Sequence, residues 1–177
     1  MEDPGSQTIY LKLIVLLFLT FLNAFFSATE MALVSLNRSR VEQKAQEGIK
    51  KYVRLQQVLE NPNNFLSTIQ VGITLINILS GASLANDLGA VFAGWMGNSA
   101  TAQTAGYWLA LALLTYISIV LGELYPKRIA MNMKENLAVL SAPVIIGLSK
   151  VVSPFVWLLS ASTNLLSRIT PTTFDDA

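Results

Sequence analysis

LIVLLFLTFLNAFFSATEMALVSL, residues 13–36, is uncharged from Leu13 to Thr29 and is then interrupted only by Glu30. Its 24 residues exceed the ~20 a helix needs to cross a hydrocarbon core. Lys12, just ahead of it, can snorkel its amine to the surface. A first membrane span is therefore expected over about residues 10–36. Two further runs repeat the pattern. Asn61 to Asn86 holds 26 uncharged residues, opened by an Asn suited to cap a helix and a Pro suited to its first turn. Leu88 to Gly122 holds 35. These predict spans over about 62–86 and 105–124, the second made permissive of a kink or break by Gly72 and Gly81.

The bulk composition agrees with an all-α membrane protein. Of 177 residues, 53% are hydrophobic and 13% charged, with a mean hydropathy of +0.50, which a small soluble domain could hardly keep in solution. Glu2 and Asp3 stand where a secretory signal would carry positive charge, so a signal peptide is not expected. The transmembrane domain is expected over 1–168, with the acidic, Thr-rich 169–177 as a linker toward cytoplasmic domains.

Orientation follows from where the cations lie. Arg38, Arg40, Lys44, Lys50, Lys51 and Arg54 make up half of the 12 Lys and Arg residues. They share residues 37–60 with an apolar stripe of Val41, Ala45, Ile49, Tyr52, Val53 and Leu55. This predicts an amphipathic juxtamembrane helix on the cytoplasmic side. Residues 87–104 contain no Lys or Arg and are expected to form the outer loop. Tyr107 and Trp108 anchor the outer end of the third span, and Lys127, Arg128 and Lys134 follow its inner end. Three crossings then leave the N-terminus outside and the C-terminus inside. Residues 136–168 carry two apolar stretches separated by Lys150 and broken by Pro143 and Pro154, each short for a span. A pair of interfacial helices is favoured there over a fourth crossing.

The polar residues inside the spans carry the chemistry. With no Cys and no His in the chain, disulfides, haem, iron–sulfur clusters, thiol catalysis and the usual zinc sites drop out. No nucleic-acid motif is present, and the spans hold no nucleophile with a recognisable base, so the chain reads as neither a nucleic-acid binder nor an enzyme. A bound metal would need hard oxygen ligands. Thr20, Asn23, Ser27 and Glu30 share one face of the first span, and Thr74, Asn77 and Ser80 share an arc of the second. Thr115, Ser118 and Gly122 line up on the third, with Glu123 next along. An acid at membrane depth requires a cation or a proton as partner. Gly122 before it and Pro126 after it favour local unwinding, which frees main-chain carbonyls beside a carboxylate. The competing readings are interhelical hydrogen bonding for Thr20, Asn23, Ser27 and Asn77, and a structural ion pair between Glu123 and Lys127 or Arg128.

Asn23-Ala24-Phe25-Phe26-Ser27-Ala28-Thr29-Glu30-Met31-Ala32, the Asn77 helix and Gly122-Glu123-Leu124-Tyr125-Pro126-Lys127 together resemble the transmembrane domain of the CorB/CorC and cyclin M magnesium transporters, over about residues 10–168. The resemblance implies a homodimer with three spans per chain, a belt of juxtamembrane helices, and a multi-pass location in the inner (plasma) membrane, in contact with lipid. It implies an inward-opening Mg²⁺ site at Ser27, Asn77 and Glu123, helped by main-chain carbonyls near Gly122. Export of Mg²⁺ coupled to Na⁺ entry by alternating access, and cytoplasmic CBS domains elsewhere in the full-length chain, belong to the same implication. Two alternatives stay open: a membrane anchor and Mg²⁺ sensor for a cytosolic module, without transport, and a passive channel.

Overall fold

A computed structural model describes residues 4–170, and the linker expected over 169–177 lies, from residue 171 on, outside the described residues. The described chain is helical: α1 Pro4–Val34, α2 Arg38–Gln46, α3 Lys50–Leu59, α4 Pro62–Trp95, α5 Ala100–Ile119, a π-helical turn Val120–Leu124, and α6 Tyr125–Ile169. Three helical stretches are long and apolar enough to cross a membrane, Gln7–Val34, Pro62–Trp95 and Ala100–Ile169. They turn large apolar side chains outward, among them Leu17, Phe18 and Phe21 on α1 and Leu75, Ile78 and Leu79 on α4. Lipid, not water, is the solvent such surfaces match. The chain is a membrane protein.

Two compact units emerge, Met1–Leu36 with Val71–Ala138, and Asn37–Gln70 with Val139–Ala177. In the first, α1, α4 and α5 meet around Leu84, Ala85 and Leu114, with Leu16, Leu88 and Leu111 packed against them. Here α4 and α5 cross closely through glycines. A Cβ on Gly106 would come within 2.5 Å of the carbonyl oxygen of Gly89, so the approach is backbone to backbone, as small residues allow between membrane helices. In the second unit α2 packs on α3, burying Val41, Ala45, Tyr52 and Leu55. The Lys44 amine donates to the Tyr52 hydroxyl at 2.9 Å.

Several boundaries differ from those expected, each for a local reason. The single amphipathic helix over 37–60 is two, because Gly48 takes a left-handed φ of +78° and ends α2. Asn37 caps α2 by accepting the Arg40 N–H on its side chain at 3.3 Å. The second helix runs unbroken through Gly72 and Gly81 and past residue 86 to Trp95. The loop expected over 87–104 shrinks accordingly to a turn at Gly97 (φ 98°) and Asn98 (φ 59°), after which Ser99 caps α5 through the Ala102 N–H at 3.1 Å. Residues 136–168 form one helix with Pro143 and Pro154 inside it, where a pair was expected; the one non-helical residue of α6 is Met133 (φ −120°, ψ 23°).

Candidate functional site

The site lies where α1, α4 and α5 converge, and its shape depends on the π turn. In a straight α-helix, at ~100° per residue, Glu123 would stand roughly 140° around the axis from Ser118. The π turn Val120–Leu124 absorbs an additional residue, the Tyr125 N–H reaching back to the Val120 carbonyl. That rotates Glu123 toward the face of Thr115 and Ser118. Its local cause is Pro126, which has no N–H to give the carbonyl of Gly122 four residues back. The unwinding expected from sequence thus takes the form of a widened turn, and α1 packs directly against it.

A cavity of about 260 Å³ opens here, lined on its polar side by Asn77, Ser80, Thr115, Ser118 and Glu123 and on its apolar side by leucines such as Leu16. It has room for several waters. Asn77 donates its Nδ2 to Glu123 Oε1 at 3.4 Å, the long end of a hydrogen bond. Asn77 Oδ1 in turn accepts from Asn23 Nδ2 at 3.2 Å. Asn23 is 1% exposed and lies against Gly122, whose added Cβ would meet Asn23 Nδ2 at 2.7 Å.

Of the four residues marked from sequence, Asn77 and Glu123 are brought into hydrogen-bonding contact, and Gly122 sits buried beside Asn23. Ser27 is fully buried on α1, one turn from Asn23, and its Oγ has no hydrogen-bond partner among the described residues. It is not part of the cavity wall. The same lack of a partner holds for Asn23 Oδ1 and Thr29 Oγ1. Unsatisfied buried oxygens are uncommon and costly, about 1–3 kcal/mol each. Asn23 and Ser27, four residues apart, share one face of α1, whereas Thr29, two residues beyond Ser27, stands roughly 160° away around the axis. Asn23 belongs to the polar face of the first span in the sequence but is not among the four residues marked there as ligands. Its position four residues before Ser27 placed it on the polar face, but nothing in the sequence showed that it bridges to Asn77.

Charge pairing separates Glu123 from Glu30 and Asp87, the acids of α1 and α4. Lys127 pairs with Glu30 at 3.1 Å, and Lys12 pairs with Asp87. The structural pair of Glu123 with Lys127 or Arg128 does not form; among the described residues Glu123 has a neutral amide as its hydrogen-bond donor and no cation. No group of three or more Asp, Glu, His or Cys occurs among the described residues. Any cation held here would therefore meet one carboxylate and otherwise neutral oxygens.

The family model of the cyclin M transmembrane N-terminal domain matches residues 13–175. The UPF0053 protein sll0260 of Synechocystis sp. is 36% identical over 168 residues, 93% of this chain and 38% of that protein. A UPF0053 protein of Haemophilus influenzae is 31% identical over 169 residues, covering 96% and 37% respectively. The UPF0053 inner membrane protein YfjD of Escherichia coli is 32% identical over 148 residues, 84% of this chain and 32% of its own length. The chain spans less than two fifths of each of these relatives.

Proposed function

The chain belongs to the family of the cyclin M transmembrane N-terminal domain, and on that footing we propose that it is the membrane domain of a magnesium transporter. Mg²⁺ is the cargo, met at the cavity by Glu123 and Asn77; Ser27 and the main-chain carbonyl of Gly122, which do not line the cavity, complete the ligand set in the ion-bound state. The observation that carries this reading is the pairing pattern. Glu30 and Asp87 each have a lysine, whereas Glu123 faces a cavity of about 260 Å³ with only an amide N–H to meet its charge. A carboxylate so placed at membrane depth calls for a cation.

The oxygen set suits Mg²⁺ as a travelling ion. Mg²⁺ sheds water reluctantly and is commonly bound through one or two carboxylates while keeping part of its hydration shell. One carboxylate, neutral oxygens and room for waters give weak, releasable binding, which a carrier needs. Export coupled to Na⁺ entry by alternating access, through a site open to the cytoplasm, is the working cycle. The N-terminus then lies outside and the C-terminus inside, with 37–60 and 136–168 as juxtamembrane segments. The chain sits as a multi-pass homodimer in the plasma membrane, the inner membrane in a two-membrane cell. CBS domains in the remaining length of the full protein are its cytoplasmic partners.

Calorimetry on the purified protein in detergent tests the site. Glu123→Gln keeps shape and removes charge, and should abolish measurable Mg²⁺ binding; unchanged affinity overturns the assignment. Reconstitution into liposomes tests the activity, since Mg²⁺ flux driven by a Na⁺ gradient is expected. Conformational response to Mg²⁺ without any flux would leave a sensor in place of a transporter.

A further inference from the structure

Asn23, Asn77 and Glu123 form a chain of hydrogen bonds whose direction is set by its last member. An ionised carboxylate only accepts, so Asn77 must turn its amide nitrogen to Glu123, as it does at 3.4 Å. That points Asn77 Oδ1 at Asn23, which must then offer its own nitrogen, as it does at 3.2 Å. What is left over is Asn23 Oδ1, buried and without a hydrogen-bond partner among the described residues. The Asn77 N–H occupies the position of a positive charge beside Glu123.

A cation bound to Glu123 reverses each of these requirements. An amide nitrogen cannot face a cation, so Asn77 must present Oδ1. The terminal torsion of Asn is broad and roughly two-fold, and half a turn about it exchanges oxygen for nitrogen with little movement elsewhere. Asn77 Nδ2 then points at Asn23, where an acceptor is required. The orphaned Oδ1 is that acceptor, once the Asn23 amide turns as well.

We propose that Asn23 is a positioning residue of the cation site: its amide holds Asn77 nitrogen-forward when the site is empty and oxygen-forward when an ion is bound. This rests on the reading of Asn77 and Glu123 as ligands. A carboxamide can donate in one state and accept in the other from the same two-fold rotor, which an ionised Asp, an acceptor only, and Leu, with no polar atom, cannot do. The absence of a Cβ on Gly122, which would stand 2.7 Å from Asn23 Nδ2, leaves the amide its room.

Mg²⁺ titration calorimetry on the wild type, Asn23→Leu, Asn77→Ser and the double variant tests this. Residues that orient metal ligands typically cost 10–100-fold in affinity when removed, so Asn23→Leu should weaken Mg²⁺ binding about tenfold or more. Serine at 77 keeps an oxygen but no amide to orient, and there the same Asn23 change should alter affinity by less than about twofold. An equal loss in both backgrounds would mean that Asn23 acts through packing alone, and the proposal falls. Should a variant not fold or not bind measurably, the wild type labelled with ¹⁵N-asparagine decides. The side-chain NH₂ resonances of Asn23 and Asn77 should shift together as Mg²⁺ is added; Asn23 signals that stay fixed while those of Asn77 move refute it. A wild type that binds no Mg²⁺ at all would overturn the transporter reading instead.

Discussion

Gly106→Ala adds one methyl group where α4 and α5 cross backbone to backbone. The new Cβ would lie 2.5 Å from the carbonyl oxygen of Gly89 and 2.9 Å from the backbone nitrogen of Ala93. Both atoms belong to the α4 backbone, so no side chain can rotate away. To reach the 3.4 Å at which ordinary contact begins, α4 and α5 must separate by about 0.9 Å along that direction. A radial gap of roughly 0.5–1 Å forfeits a quarter to a half of the dispersion energy at each affected contact. Overpacking of this kind costs about 1–3 kcal/mol, partly offset by the better helix propensity of Ala, worth up to ~1 kcal/mol. The net destabilisation is about 1–2 kcal/mol, which for a chain of this size lowers Tm by roughly 2–8 °C. Thermal unfolding in detergent, followed by tryptophan fluorescence, measures it. Gly94→Ala on the same helix pair is the control, since nothing lies within 4 Å of the added methyl. If Gly106→Ala melts at or above the wild-type temperature, the backbone-to-backbone approach does not exist in the folded protein.

Pro126→Ala restores an N–H to the carbonyl of Gly122 and should draw the π turn Val120–Leu124 toward α geometry, rotating Glu123 off the cavity. Mg²⁺ affinity should fall at least tenfold while Tm holds or rises, so an unaltered binding isotherm would show that the turn does not depend on the proline. Lys127→Met removes the partner of Glu30, an ion pair about a third exposed at 3.1 Å; its loss should cost no more than about 1 kcal/mol and leave Mg²⁺ affinity as it was. A large change in affinity would tie Lys127 to Glu123 after all.

The three long helices were legible as uncharged runs because lipid imposes a simple requirement, satisfied backbone and an apolar surface. Their ends were not, because a charge in sequence need not end a helix in space. Asp87 ends the second uncharged run, yet α4 continues to Trp95, since Lys12 of α1 neutralises Asp87 from the side. Pro143 and Pro154 look like breaks in the sequence, but each removes only one main-chain donor, and α6 runs through both. Gly48 could have been read as a stop. The apolar stripe continuing from Ala45 to Tyr52 masked it, because α2 and α3 pack on one another and each buries its own part of that stripe.

The candidate site shows the same division between residue type and partnership. Asn77 and Glu123 announced themselves as polar groups in apolar surroundings, each on its own helix. That they touch depends on the π turn, and that Glu123 lacks a counter-ion depends on Lys127 choosing Glu30. The Gly–Glu–x–x–Pro–Lys segment explains both at once. Proline strips the Gly122 carbonyl of its donor and forces the wider turn, which directs Glu123 at the cavity wall it shares with Ser118. The lysine, one residue further on, faces α1 and meets Glu30 there. Moving that lysine by a single position would rotate it about 100° around the helix, away from Glu30. The spacing of the segment keeps one acid neutralised and the other open to the cavity, and the proposed cation site rests on this separation of two carboxylates by one short turn.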